Sequence, residues 1–570
     1  MKSCIIKHVK HFNRIFDPAS KPIVRKTELD QGFVPRSCPK ILVVLQIFIG
    51  SLLYGAGAQA TPCRNFQIEM RGSVSSVVPA SNRAVVLVSP ISSGESAAPT
   101  FARQGLQVLT VVDAFNLSPA QRERVRNLWP HFIDLTGIPS LDARAKVIEQ
   151  YARERGWNLV AVLPGAEHGT KLAMKLSKLL GKSSPKLKTQ PYRDHFTDKA
   201  SYISKLQNSG LSVFESVPVR SLSELEKVLD ERRYFRDPRF SVIVAKPAES
   251  SGGDGIEIHS SRESLVRHVE SILNSANKYK IANQKVLLQQ YLGRTEVFIN
   301  GLVYTHEGRT QVFVTEVAEY DKFKDTNGQP NTYDVTKFLD PREPRVQKML
   351  KFNELALENE RFRFGFFHRE IFPQEISGEL SVNSIFSTDG AFRLVGARYT
   401  DIAEFSQGDS QVSIMAKILA DPKARLRGKK ENRIPQVYSL LRPNYSWIGY
   451  NFKKHPDSAL NPRLLQELES FRLRLEAEGG KLFYHLDRQP GELLPLGKDL
   501  ATKFGVFAVT HPDDATAARW IYRMKFEVPW FSTAASGEST GTISPPGFEN
   551  RRGKWEPADL RPNSVPDHEP

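Results

Sequence analysis

From residue 84 onward, apolar runs of strand length alternate with stretches of helical spacing, and this alternation constrains the fold more tightly than any other feature of the sequence. "AVVLVSP" reads as a buried strand, "AAPTFARQGL" as a helix, "QVLTVVDA" as a second strand and "WNLVAVLPG" as a later one. Strands joined by helical crossovers form a parallel sheet, since a crossover is what returns the chain in the same direction. In "GTKLAMKLSKLLG", Leu172, Met174, Leu176, Leu179 and Leu180 recur at helical spacing. Residues 84–193 are therefore expected to form a small open α/β domain. A chain of 570 residues is too long for one core, so further domains must follow.

Residues 194–422 make the longest continuous structured block. "SYISKLQNSG" predicts an amphipathic helix with Gly210 at its C-terminal end, "VFESVPV" a strand and "LSELEKVLDE" a helix. "VIVAKPAESSGGDGIEI" then delivers Lys246 at the end of an apolar run, followed by a Gly/Ser loop and a second β-rich run. An ammonium beside a loop whose Gly252, Gly253 and Gly255 let backbone N–H groups approach closely is a sensible grip on phosphate. Taken alone, "SSGGDG" reads more often as a plain hairpin turn, and it is neither a Walker loop nor a dinucleotide fingerprint. "KVLLQQYLGRTEVFINGLVYTHEGRTQVFVTEVAEY" predicts antiparallel strands with short turns, and "PRVQKMLKFNELALENE" a helix. "FHREIF" and "FRLVGARY" predict two more strands. Residues 423–533 read as a mixed α+β segment, and 534–570, rich in Pro, Gly, Ser and charge, as a disordered tail.

Composition narrows the function classes. The net charge of +16 fits an anionic partner, but no long basic run with interleaved aromatics points to nucleic acid. Cys4, Cys38 and Cys63 all lie near the N-terminus, so the folded body has neither a disulfide framework nor a cysteine-based zinc site. Residues 41–60, "ILVVLQIFIGSLLYGAGAQA", are uncharged and end in small residues suited to cleavage after Ala60. They are also almost long enough to anchor in a bilayer. Residues 1–60 are thus expected to be a signal or anchor leader, followed by a linker over 61–83. Export or membrane association is the expectation, with a buried helix in a cytoplasmic protein as the alternative.

In order, "TDKASYISKLQNSGLSVFESVPV", "FSVIVAKPAESSGGDGIEI", "VLLQQYLGRTEVFINGLV", "FGFFHREIF" and "FRLVGARYTD" resemble the ATP-grasp superfamily of carboxylate–amine ligases. "EYDKFKDTNGQPNTYD" resembles a segment of a bacterial subgroup that includes amino-acid ligases. The resemblance spans roughly residues 84–420. It implies an α/β (α+β) fold with a preATP-grasp domain over 84–193, then two α+β subdomains that grip ATP. It also implies ATP and Mg²⁺ as cofactors and small carboxylates and amines, amino acids among them, as substrates.

Carried over residue by residue, the resemblance gives Lys199 and Lys246 to the α- and β-phosphates, under the loop of Gly252 and Gly253. Gln289, Gln290 and the Leu292 backbone fall at the hinge that meets adenine, and Glu296 falls where a carboxylate takes the ribose hydroxyls. Glu370, in a Gly-x-x-His-x-Glu strand, is implied as a Mg²⁺ ligand, with His368 near the reacting carboxylate. Arg398 is implied as a bidentate partner of an acyl phosphate or tetrahedral intermediate. The second metal carboxylate is expected in "RLVGAR", where the position is Leu394. Asp401, Glu404, Glu379 and Asp389 are nearby substitutes for it, and a count back from the "DG" turn puts Asn383 in the place of Glu370. Two readings follow: an ATP-dependent ligase working through an acyl phosphate, or a degenerate ATP-grasp protein that binds nucleotide without turnover. Each residue also has a plain alternative as a solvated or salt-bridged side chain.

Overall fold

The computed structural model describes residues 81–533, apart from short segments at 114–116, 185, 212–213, 278–280, 294, 325–329, 377, 422–435, 439–442, 452–457, 498–499 and 501. The chain divides into two units, Met1–Gly72 and Ser73–Pro570, and the described residues all belong to the second. The leader with its 41–60 segment, the three cysteines, nearly all of the linker and the 534–570 tail lie outside the described residues. No helix among the described residues is long and apolar enough to cross a membrane.

The expected N-terminal α/β unit is present. Strands β1 (Arg83–Val88), β2 (Gln107–Val112), β3 (Phe132–Asp134) and β4 (Asn158–Pro164) form a parallel sheet in the order β3-β2-β1-β4. β1 is central and almost wholly apolar because helices cover both faces, the arrangement that makes parallel strands read as continuous hydrophobic runs. Helix Thr170–Ser183 buries Leu172, Ala173, Leu176 and Leu180 against this sheet.

A second, antiparallel sheet holds β5 (Ser216–Val219), β6 (Ile243–Pro247), β7 (Glu257–His259) and β8 (Val286–Gln290) in the order β5-β8-β6-β7. Helices Leu222–Glu231 and Arg262–Leu273 close one face of it with Leu225, Leu229, Leu265 and Val269. β6 and β7 are the two arms of the lysine hairpin, paired from Ile243↔His259 to Ala245↔Glu257.

The third sheet has eight strands in the order β13-β12-β9-β10-β11-β14-β17-β16. These are β9 (Glu296–His306), β10 (Arg309–Lys324), β11 (Pro330–Phe338), β12 (Gly365–Ile376), β13 (Glu379–Ala391), β14 (Asn444–Gly449), β16 (Lys481–Leu486) and β17 (Gly505–Thr510). β15 (Ser458–Leu460) and β18 (Phe531–Thr533) pair separately. β9 and β10 join through Glu307 and Gly308, both at positive φ as a right-twisting two-residue hairpin requires. Three strands from beyond residue 440 extend this sheet through β11, with Val335 opposite Trp447, a continuity the sequence did not signal.

One expected strand is absent. Residues 392–398, which include most of "FRLVGARY", are irregular, and helix Tyr399–Gln407 starts directly after them. Ala397 and Arg398 take φ of 51° and 60°, which breaks any extended run, while Leu394 is buried in an apolar cluster with Val412 and Met415. The partner of β12 on that side is instead β13, paired from His368↔Ala391 to Ile376↔Glu379.

Candidate active site

One face of the large sheet concentrates the charged side chains. Because side chains alternate along a strand, His368 and Glu370 on β12 share a face with Asn300, Phe298 and Glu296 on β9. The pairing is His368↔Asn300 and Glu370↔Phe298. On the other flank of β12, Glu370 is paired with Asp389 of β13. Two carboxylates thus stand directly opposite one another on neighbouring antiparallel strands.

The lysines reach this pair from two other elements. Helix Lys199–Gln207 begins with Lys199 and is capped by Asp198, whose side chain accepts from Ser201 N–H. Lys199 Nζ donates to the Ser250 carbonyl at 2.5 Å and lies 3.1 Å from Asp389 Oδ2. The helix is locked to β13 at close range: Tyr202 Oη and Ser387 Oγ are 2.6 Å apart, and a Cβ on Gly390 would meet the Tyr202 ring at 2.3 Å. Gly390 is therefore a residue whose lack of a side chain sets the distance from Lys199 to Asp389. Lys246, on β6, donates from Nζ to the Thr388 carbonyl at 3.1 Å, one residue before Asp389. The loop between β6 and β7 carries Gly252 and Gly253 at positive φ and is drawn in by Ser250 Oγ donating to Asp254 Oδ2 at 2.6 Å.

Burial and charge set the protonation states. Burial, with the Lys199 ammonium nearby, lowers Lys246 to about 8 even though Asp389 and Glu370 favour its charged form. Burial would also depress Lys199, but Asp389 and Glu167 outweigh it and the net shift is upward. Glu370 is pushed up by burial and pulled down more strongly by His368, Lys322 and Lys246, so it stays ionised. His368 sits between Asn300 and Glu370, with Nδ1 2.7 Å from Asn300 Oδ1 and Nε2 3.4 Å from Glu370 Oε1. Tyr333 Oη donates to the same Glu370 oxygen at 3.3 Å.

Glu296 is paired with Lys322, and burial together with the Glu370 charge raises it to about 7 despite that partner. Gln289, next to last on β8, lies on the same face of its sheet as Lys246, and its Nε2 donates to Ser216 Oγ at 3.2 Å. Gln290 N–H donates to the Glu215 carbonyl, and the Leu292 carbonyl accepts from Gln374 Nε2 at 3.0 Å.

Lys199, Lys246, Glu296, His368 and Glu370 thus come together, with the glycine loop on the Lys199 side. Arg398 belongs to a different cluster. Its guanidinium donates to Glu95 Oε2 at 2.6 Å and to Asp401 Oδ2 at 3.4 Å, and lies 3.3 Å from His485 Nε2. The arginine that follows β13 is Arg393, which donates to Glu167 Oε2 at 2.7 Å. Sequence reasoning named Asp389 only as a substitute and did not name Arg393 or Glu167. The signal that could have found them is the "STDGAFR" run, read as the partner of "HREIF" once the hairpin tip is placed at Gly378.

No family model and no curated protein matches the sequence. Solved structures do match in fold. An L-amino acid ligase from Bacillus licheniformis superposes with a TM-score of 0.56 at 13% identity, over 79% of this chain and 98% of that one. A carboxyaminoimidazole ribonucleotide synthase from Aspergillus clavatus, complexed with ATP, gives 0.51 at 16% identity over 77% and 97%. A biotin carboxylase from Campylobacter jejuni, in complex with a β,γ-ATP compound, gives 0.51 at 13% over 77% and 90%. The fold is therefore the ATP-grasp fold, as the ordered segments of the sequence implied.

Proposed function

We propose that this chain is an ATP-dependent carboxylate–amine ligase that forms an amide or peptide bond through an acyl phosphate. The observation that carries the reading is the paired Glu370 and Asp389, with Lys199 and Lys246 converging on the same end of β13. Two opposed carboxylates suit Mg²⁺, a hard cation that takes a small number of carboxylate oxygens and shares the rest of its shell with phosphate and water. Glu370 and Asp389 would hold the ion, which would supply positive charge to offset that on the phosphates during phosphoryl transfer.

The protein's own residues supply the rest. Lys199 and Lys246 hold the α- and β-phosphates, and backbone N–H groups at Gly252 and Gly253 close over them. Gln289, Gln290 and the Leu292 backbone take the adenine, and Glu296 the ribose hydroxyls. His368 orients Glu370 and lines the place where the substrate carboxylate enters. Arg398, held with Glu95 and Asp401 in its separate cluster, is proposed to act on the acyl end of the substrate. In the first half-reaction the substrate carboxylate takes the γ-phosphoryl group of ATP and leaves ADP. In the second an amine attacks the acyl carbon to form the C–N bond, the acyl C–O bond breaks with its electron pair leaving on phosphate, and the amine's surplus proton passes to the departing phosphate or to solvent. The loop and the two buried lysines beneath it exclude water from that intermediate. Likeness to the L-amino acid ligase supports amino acids as the carboxylate and amine.

The degenerate reading rested on Leu394 as the missing second carboxylate. Asp389, opposite Glu370, supplies a carboxylate without it and favours turnover. The test is ADP release from ATP and Mg²⁺ across pairs of amino acids, with the condensed product identified by mass. The reading expects release that depends on both partners and falls to background in Lys246→Met. Nucleotide binding without ADP release on any pair would leave the binding module instead.

A further inference from the structure

A second polar cluster lies behind the lysine hairpin, on the opposite face of the small sheet. Glu257 and His259 alternate along β7, paired with Ala245 and Ile243, and so face helix Arg262–Leu273. Lys246, one residue on from Ala245, faces the other way. The helix contributes His268. His259 Nε2 and His268 Nδ1 are 3.0 Å apart, and the Glu257 carboxylate oxygens are 4.0 Å from His259 Nε2 and 3.7 Å from His268 Nε2. One ligand atom from each of the three residues lies within 4.8 Å of the other two.

We propose that Glu257, His259 and His268 form a binding site for a divalent transition-metal ion, zinc(II) by the donor set, at the root of the lysine hairpin. Two imidazoles and a carboxylate are the ligands a zinc site with one open position uses, at metal–ligand distances of about 2.0–2.2 Å. Oxygen-only cations such as Mg²⁺ have no use for such a set. The imidazoles already stand at nearly the ligand-to-ligand spacing of a tetrahedral ion. Glu257, 43% exposed, offers a carboxylate oxygen within 4.8 Å of both imidazoles as the third ligand.

The surroundings prepare the nitrogens for a metal. His259 is oriented by Ser264, whose Oγ lies 2.8 Å from Nδ1, leaving Nε2 aimed at the cluster. A fixed partner on the other ring nitrogen is the usual support of a metal-bound imidazole. The site is distinct from the Glu370–Asp389 pair, which lies on the large sheet.

The consequence is mechanical. β7 is the return arm of the hairpin, two residues after Gly255, and an ion shared between β7 and helix Arg262–Leu273 pins the end of the phosphate loop to the subdomain core. This inference stands whether or not the protein turns over ATP.

The test is a Zn²⁺ titration of the metal-free full chain in excess Mg²⁺, comparing wild type with His268→Gln and Glu257→Gln. Because Cys4, Cys38, Cys63, His8 and His11 can also take zinc, the readout is the difference between proteins. The proposal expects one more tight equivalent in wild type than in His268→Gln. It expects about a tenfold or greater loss of affinity at that equivalent in Glu257→Gln, the half-exposed position that keeps the comparison valid if His268→Gln fails to fold. Co²⁺ substitution should give wild type a visible absorption band that the variants lack. Equal zinc uptake and equal Co²⁺ spectra in wild type and Glu257→Gln would overturn the site and leave a plain histidine–histidine hydrogen bond.

Discussion

Glu370 and Asp389 face one another across β12 and β13, and Lys199 Nζ reaches Asp389 at 3.1 Å. Two like charges on adjacent strands repel unless cations stand between or beside them. Here the Lys199 ammonium lies against Asp389, and His368, Lys322 and Lys246 hold the Glu370 carboxyl well below the usual carboxylate range despite its burial. Asp389→Asn keeps the shape and removes one anionic oxygen ligand. The expected result is a fall of about 10²–10³-fold in ADP release, with a matching loss of Mg²⁺ dependence and little change in thermal midpoint. Steady-state turnover across a Mg²⁺ series measures both.

Lys246 gives the site a pH limit on its alkaline side. Its ammonium is held at about 8 by burial, below the ordinary lysine value, so it is charged at pH 7 and loses its proton as pH rises through 8. Nucleotide affinity should therefore weaken above pH 8, by at most about tenfold per pH unit, the limit for one proton. Lys246→Arg, which stays charged across this range, should flatten the slope. Calorimetric titrations of ATP at pH 7, 8 and 9 check it.

Leu394 is a core residue, 1% exposed and packed with Val412 and Met415. Leu394→Glu would place a carboxylate among apolar side chains with no cation built to receive it. The expected outcome is a loss of about 3–5 kcal/mol of stability, the scale of an uncompensated buried charge, and no gain in Mg²⁺ affinity. A urea melt and a Mg²⁺ titration together decide whether this position is packing or a lost ligand.

Arg369 and Glu360 form a fully buried bidentate pair, with both N–O distances at 2.8 Å and exposures of 1% and 0%. The same guanidinium contacts Tyr202 Oη, so the pair supports the helix that carries Lys199. Arg369→Met should cost about 3–5 kcal/mol because Glu360 is left buried and unpaired. Arg369→Met with Glu360→Leu should recover much of that loss. Chemical denaturation of the single and double variants measures the difference.

Much of this was legible in the sequence because it depended on local order. The apolar runs of β1, β2 and β4 and the lysine hairpin of β6 and β7 are set by residues close in sequence, and their signals survive without any tertiary knowledge. The carboxylates opposed on β12 and β13 were harder to read. Glu370 sits in a recognisable strand, but the residue opposite it depends on the register of the β12–β13 hairpin, which joins positions nineteen residues apart and is not stated by the local sequence. The turn at Gly378 lies well upstream of the "DG" at Asp389 and Gly390, which reads as a turn yet ends β13 against Tyr202. The His259–His268 contact joins a strand to a helix across nine residues and left no spacing that sequence reasoning could separate from chance. Nor could composition reveal that β14, β17 and β16 continue the large sheet, because edge pairing carries no motif.

The most direct test of the account is the titration of ATP into the full chain by calorimetry, with and without Mg²⁺, in wild type and Asp389→Asn. The account predicts that Mg²⁺ tightens ATP binding to wild type by about tenfold or more, and that the substitution removes most of this gain while metal-free binding persists. Equal affinities with and without Mg²⁺ in wild type, or no ATP binding at all, would contradict it.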